Sequence, residues 1–258
     1  MNSTTRSLGG TFERISSGLR INKAADDAAG LAVAENLSAA SRSTRVAMRN
    51  TNDGISTIQT AEGATSETVN VVKRMRELAV QSASETLNND ERAYIQEEFE
   101  ALSAEVDRIA ASTEFNGTQL MDGTVTTMDV QVGINNSAND RIAITLGDAR
   151  ATVLGIDTAS VDLSTASGAQ AAIDSMDAAL DDLNGIRSNY GATQNRLESS
   201  LRNMETYSEN LQSAESQIRD ADFAYETAQL AKDQILQQAG VSVLAQANSV
   251  TSAALALL

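Results

Sequence analysis

Apolar residues recur at steps of three and four along most of this chain, a pattern that predicts long helices. The first predicted helix covers 26–85. Its apolar positions include Leu31, Ala34 and Leu37, then Ile55 and Ile58, then Val69, Val72, Met75 and Ala79. Asp26 and Asp27 stand at its start, where carboxylates favour the exposed N–H groups and the helix dipole. Gly30, Gly54 and Gly63 weaken it by about 1 kcal/mol each against alanine. The polar stretch TLNNDER then breaks the pattern, and Asn89 or Asp90 is placed to cap a second helix. That helix has its seam at Ile95, Phe99, Leu102, Val106 and Ile109. A third helix starts near Ser164 or Thr165. Its seam is Ile173, Met176, Leu180, Leu183, Ile186 and Tyr190, then Leu197, Leu201, Met204, Leu211 and Ile218. From Ala214 to Leu258 the chain stays helical, with Gly240 as the expected break and an apolar tail beyond it.

Between these helices the period changes from 3.6 to 2. Val130, Val132 and Ile134 alternate with Asp129, Gln131 and Gly133, and Ile142, Ile144 and Leu146 alternate in the same way. The turn cluster NNSAND lies between the two runs, so the pair predicts a β-hairpin with a longer loop. The change begins at Phe115-Asn116-Gly117.

The expected fold is therefore mainly α: a long antiparallel helical rod or coiled coil, with a small β-hairpin region in mid-chain. Long amphipathic helices from distant parts of the chain bury their seams against one another, which brings both termini to one end. The expected segments are 1–25, a terminal helix remnant and connection; 26–113, rod helices; 114–163, hairpin and loops; 164–213, a returning rod helix; and 214–258, a terminal helix.

Composition sharpens this picture. The 258 residues contain no proline, histidine, cysteine or tryptophan. Missing prolines leave helices unbroken. Missing histidine and cysteine remove the commonest general base, the best nucleophile and the favoured transition-metal ligands. Asp26, Asp27, Asp181 and Asp182 lack the spacing of a chelating loop and are expected to be helix-start or solvated carboxylates. No catalytic, cofactor or metal site is expected. A net charge of −16 disfavours nucleic-acid binding. No apolar run reaches a membrane span, and MNSTTRSLGG has no apolar leader core. Charge is uneven: residues 1–50 are net basic and 214–258 net acidic, so the two ends can attract each other. The tail residues Leu244, Leu255, Leu257 and Leu258 have little polar shielding and need a partner. A membrane-surface helix would carry Lys and Arg, and nothing basic follows Lys232, so the tail favours self-assembly.

Several stretches resemble one family. ISSGLRIN (15–22), KAADDAAGLAVAENL (23–37), NTNDGISTIQTAEGA (50–64), MRELAVQSAS (75–84) and EFNGTQLMDG (114–123) are similar to the N-terminal signature of bacterial flagellin. Asp220-Ala-Asp-Phe-Ala and LAQANSVTSAALALL (244–258) resemble its C-terminal region. The likeness covers about 10–123 and 165–258 in the right order. Two departures stand out. Family members usually begin with some further residues before the segment matching Met1–Arg14, so the N-terminal assembly helix is expected to be incomplete here. The middle insert leaves room only for the hairpin and loops, so the resemblance is to a minimal flagellin without outer domains.

The resemblance implies a monomer exported unfolded through the flagellar apparatus and polymerised under a cap into a hollow filament outside the cell. Implied partners are further copies of itself, the cap, the hook–filament junction protein and an export chaperone. It also implies receptor recognition by Toll-like receptor 5 through Arg74, Leu78 and Glu98, the arginine pairing with an acid and the leucine filling a pocket. Leu255, Leu257 and Leu258 match the tail used for inner-tube packing and chaperone capture. Arg74, Leu78 and Glu98 could instead serve only rod packing and subunit contacts, and the tail leucines could be a frayed apolar end. A hook–filament junction protein, or another flagellin-like coiled-coil assembly protein, is the alternative.

Overall fold

The computed structural model describes the backbone of residues 2–255 and side chains through 248. Five α-helices carry most of it: α1 (Asn2–Ser17), α2 (Ala28–Ser82), α3 (Asn89–Ser112), α4 (Ala166–Arg219) and α5 (Phe223–Leu255). Between α3 and α4 lie two antiparallel pairs, β1 (Glu114–Phe115) with β2 (Thr118–Gln119), and β3 (Thr127–Gln131) with β4 (Arg141–Thr145). The chain divides into two compact units, Thr44–Glu205 and the pairing of Met1–Ser43 with Thr206–Leu258.

In the unit Thr44–Glu205, α2 buries an unbroken heptad stripe. Thr44, Ala47, Thr51, Gly54, Ile58, Ala61, Thr65, Thr68, Val72, Met75, Ala79 and Ser82 are all buried, with steps alternating three and four. Half of these residues are Thr, Ser or Gly, so the hydrophobic count shows only part of the stripe. Buried Thr51, Thr65 and Thr68 incur little desolvation cost because their hydroxyls donate back to a carbonyl one turn earlier. Thr51 Oγ1 reaches Ala47 O at 2.8 Å, Thr65 reaches Ala61 O at 2.8 Å and Thr68 reaches Ala64 O at 3.1 Å. The facing helix α4 buries Ala169, Met176, Leu183, Tyr190, Leu197 and Met204 at a strict step of seven. Cross-links Arg76–Asp177 and Arg187–Glu62 run in opposite chain directions, so α2 and α4 are antiparallel. In α3 the buried stripe is Arg92, Ile95, Phe99, Ser103, Val106 and Ala110. Leu102 and Ile109 are only half-buried, so the sequence-predicted seam is rotated toward the smaller residues beside them.

The caps correct the sequence in detail. Asn88, not Asn89 or Asp90, caps α3. Its side chain accepts from Glu91 N at 2.8 Å, and Glu91 returns the bond to Asn88 N at 2.9 Å, forming a reciprocal capping box. Thr165 Oγ1 accepts from Gly168 N to start α4.

The predicted hairpin is β3–β4, with Met128 opposite Ile144 and Val130 opposite Ile142. Val130, Ile142 and Ile144 face the core. Gly54 makes this docking feasible: a Cβ there would lie 2.9 Å from Val130 Cγ2. The second pair, β1–β2, is too short to show as an alternating run. It turns at Asn116 (φ 50°) and Gly117 (φ 78°), both left-handed as a type I′ turn requires. Beyond β4, Tyr190 is buried and its hydroxyl accepts from Gly147 N at 3.2 Å.

In the other unit, Asp27 Oδ1 accepts from Gly30 N at 2.9 Å and starts α2, while Asp26 Oδ2 accepts from Asn22 N and Lys23 N and closes the preceding turn. Those two backbone donors, Lys23 first, hold the Asp26 carboxyl below its ordinary range. The break near the C-terminal helix lies at 220–222 and not at Gly240, which sits inside α5. The cause is a chain crossing: Leu19 bridges Asp220, Arg20 N donates to Arg219 O at 2.7 Å, and Ala221 N donates to Gly18 O at 2.9 Å. Asp222 then caps α5 through Ala224 N and Tyr225 N.

Two expectations follow. Gly54→Ala forces Val130 off its site and lowers unfolding free energy by about 1–3 kcal/mol in urea titration. Burial also pushes the Tyr190 phenol above its ordinary range, outweighing the Gly147 bond. A phenol raised in the folded state stabilises below the unfolded value and loses that contribution as pH climbs through the folded one. Ultraviolet titration should therefore show a tyrosine step above the ordinary phenol range. Tyr190→Phe should remove that late step.

Candidate functional site

Two surfaces hold the residues singled out in the sequence. The first is the α2–α3 face of Thr44–Glu205. Arg74 on α2 donates through Nη2 and Nε to Glu98 Oε1 on α3, at 2.8 and 3.1 Å, and through Nη1 to Glu77 Oε2 at 3.1 Å. Glu98 first, then Glu77, holds the guanidinium more firmly protonated than usual. The side chains of Arg74 and Glu98 remain 49% and 47% exposed, so both carry free edges that a partner can reach. A salt bridge this exposed adds little stability. Arg76, one residue past Met75, forms a two-pronged pair with Asp177 on α4, at 2.6 and 3.2 Å. That guanidinium holds the Asp177 carboxyl below its ordinary range.

Leu78 corrects the expectation of a surface pocket-filler. It is 1% exposed and belongs to the core of its unit. Residue 78 follows Arg74 by one turn, but the 3.6 period rotates it inward beside the buried Ala79. The sequence placed Arg74, Leu78 and Glu98 together; the structure brings Arg74 and Glu98 into contact and sets Leu78 beneath the surface. Two neighbours were missed. Glu77 shares Arg74, and Tyr94, one turn before Glu98, is 72% exposed. Their signal was spacing alone: i,i+3 from Arg74 and i,i−4 from Glu98.

The second surface is the α1–α5 pair. Here α1 covers one side of α5. Arg14 pairs with Glu226 at 3.3 Å, and Ser7 Oγ donates to Asp233 Oδ2 at 2.8 Å. Glu226 and Asp233 are each 4% exposed, one heptad apart on the covered face. The basic and acidic ends of the chain do meet, through these contacts and through Arg219–Glu35. Tyr225, Ile235 and Leu236 are exposed off the covered face of α5, and Val241, Val243 and Leu244 are exposed within 241–248, a stretch in which every residue is exposed. Leu244 is 49% exposed. The Leu255 side chain, and Leu257 and Leu258, lie outside the described residues. Among the described residues no helix is long and apolar enough to cross a membrane, and no group of three carboxylates could hold a metal ion.

Residues 1–126 match the family model of the bacterial flagellin N-terminal helical region, and residues 173–258 match that of the C-terminal helical region. The chain belongs to the bacterial flagellin family. Flagellin of Halalkalibacterium halodurans is 46% identical over 247 residues, covering 96% of this chain and 90% of that one. Flagellin D of Vibrio cholerae is 49% identical over 140 residues, 54% of this chain but only 37% of its own length. Among solved structures, Bacillus cereus flagellin superposes with a TM-score of 0.53 at 30% identity, over 60% of this chain and 88% of that one. A putative flagellar hook-associated protein from Vibrio parahaemolyticus gives 0.65 at 12% identity over 76% of this chain and 100% of that one, a likeness of fold alone. This flagellin is a structural subunit that polymerises into the flagellar filament, and the junction-protein alternative is not favoured.

The different positions of Leu78 and Arg74 give a direct expectation. Leu78→Ala lowers unfolding free energy by about 2–5 kcal/mol, as a core truncation does. Arg74→Ala costs less than about 1 kcal/mol, as an exposed pair does. Thermal unfolding of both variants measures the contrast.

Proposed function

We propose that this flagellin uses the exposed side of α5 as its inner assembly surface and the Arg74–Glu98 face as a recognition surface for Toll-like receptor 5. The carrying observation is the apolar exposure along α5: Tyr225, Ile235 and Leu236 lie off the face packed on α1, and Val241, Val243 and Leu244 stand in a stretch, 241–248, in which every residue is exposed. Polar contacts with α1 fix the covered face, so the exposed face is free to bury itself in neighbouring copies as the polymer grows. Contacts between copies that repeat head to tail without closing generate a filament. Within this reading Leu244, Leu255, Leu257 and Leu258 form part of the inner-core and chaperone-binding segment. The cap, the hook–filament junction protein and an export chaperone are the further partners, and the assembled chain lies outside the cell. The role is structural, with no catalytic step.

Receptor recognition has separate support. An arginine already oriented by two carboxylates offers a preorganised fork to an acidic group on a partner. Leu78 supports this face from beneath by packing.

The test of assembly is replacement of Ile235 and Val243 by Asp, singly, in cells lacking their own flagellin. Both side chains are exposed, so the monomer should fold, while filaments seen by electron microscopy should shorten or vanish. Normal filaments from both variants would refute the assembly surface. On reporter cells carrying the receptor, Arg74→Ala and Glu98→Ala should each raise the half-maximal dose about tenfold, the equivalent of ~1.4 kcal/mol. An unchanged dose would refute the recognition surface.

A further inference from the structure

We infer that Arg92, buried beneath the surface, is the positioning residue that sets the Arg74–Glu98 recognition face. The inference rests on the reading of that face as a receptor surface, but its structural half can be measured independently.

Arg92 lies in the first turn of α3 and is 6% exposed, rare burial for a guanidinium. Its planar fork is spent on the end of α2. Nε donates to Ser82 O at 2.9 Å and Nη2 to Ser84 O at 2.8 Å, while Nη1 reaches Asn89 Oδ1 at 3.3 Å. The last carbonyls of a helix lack intrahelical partners and carry the negative end of its dipole. One cation, rooted in α3, therefore satisfies the last carbonyl of α2 and that of Ser84 just beyond it. A second tie fixes the rotation of α3: Gln96 Oε1 accepts from Leu163 N at 2.8 Å. The carbonyl of Leu163 in turn accepts from Ser82 Oγ at 2.6 Å. Arg92, Ser82, Leu163 and Gln96 thus form a polar knot joining α2, α3 and the segment before α4.

Glu98 stands two residues beyond Gln96, on the same rigid helix. With α3 fixed to the end of α2 at Arg92 and turned by Gln96, the Glu98 carboxylate arrives 2.8 Å from Arg74. The exposed pair itself is too weak to set that register. Lysine cannot reproduce the arrangement, because an ammonium is a point charge without the fork.

The chain has no cysteine, so cysteines introduced at Lys73 and Glu97, both exposed, take spin labels cleanly. In the otherwise unchanged full chain the interlabel distance distribution should be narrow. In Arg92→Gln it should broaden or shift, at a temperature where circular dichroism reads the protein as folded. In receptor reporter cells the half-maximal dose of R92Q should rise about tenfold, as for a loss of ~1.4 kcal/mol. An unchanged distribution in folded R92Q overturns the inference, as does a normal receptor dose in R92Q when R74A and E98A are impaired. If R92Q does not fold, Arg92→Lys decides: a widened distribution supports the positioning role and an unchanged one overturns it. If R74A and E98A leave signalling intact, the receptor reading fails, while the distance measurement still judges Arg92.

Discussion

The seam between α2 and α4 is the interaction on which the unit Thr44–Glu205 depends. A helix of 55 residues gains most of its stability from packing one face, because propensity alone holds isolated helices only marginally. Strict sevens on α4 meet alternating threes and fours on α2. The period stays in register because neither stripe slips by a residue. The small side chains on α2 let the backbones and the β3–β4 hairpin come close, most plainly at Gly54 beneath Val130. The larger ones, Ile58, Val72 and Met75, fill the remaining space with Tyr190, Phe99 and Leu183.

Much of this was legible in the residues. The apolar steps of α4 and the alternation of β3 and β4 come directly from side-chain period, and their burial follows it. What escaped was whatever depended on a partner elsewhere in the chain. Ser82 is a seam residue, yet a hydropathy count reads it as solvated, since its hydroxyl meets Leu163 O only once the fold exists. Arg92 looks like any exposed charge until the carbonyls of Ser82 and Ser84 are found around it. Gly240 is locally the weak point of the last helix. The chain nevertheless breaks at 220–222, where Leu19 and Arg20 pair with it across the sequence.

The candidate surfaces divide in the same way. The resemblance to flagellin named Arg74 and Glu98, and the antiparallel run of α2 and α3 brings them together. The inward turn of Leu78 is a matter of 100° per residue and could have been read from Met75 and Ala79, its buried neighbours in the stripe. On α5, the even spread of apolar residues gave no face to choose. Part of the choice is made by α1, which claims Glu226 and Asp233 and leaves Ile235 and Leu236 exposed.

The back-bonded threonines of α2 carry one more implication. A core polar group usually links two elements, so parting them strands a donor. Here the hydroxyls of Thr51, Thr65 and Thr68 belong to their own helix whether or not a neighbour is present. Parting the helices there gives up packing without stranding any of these three hydroxyls. In such a seam these three hydroxyls keep their partners whether it is open or closed.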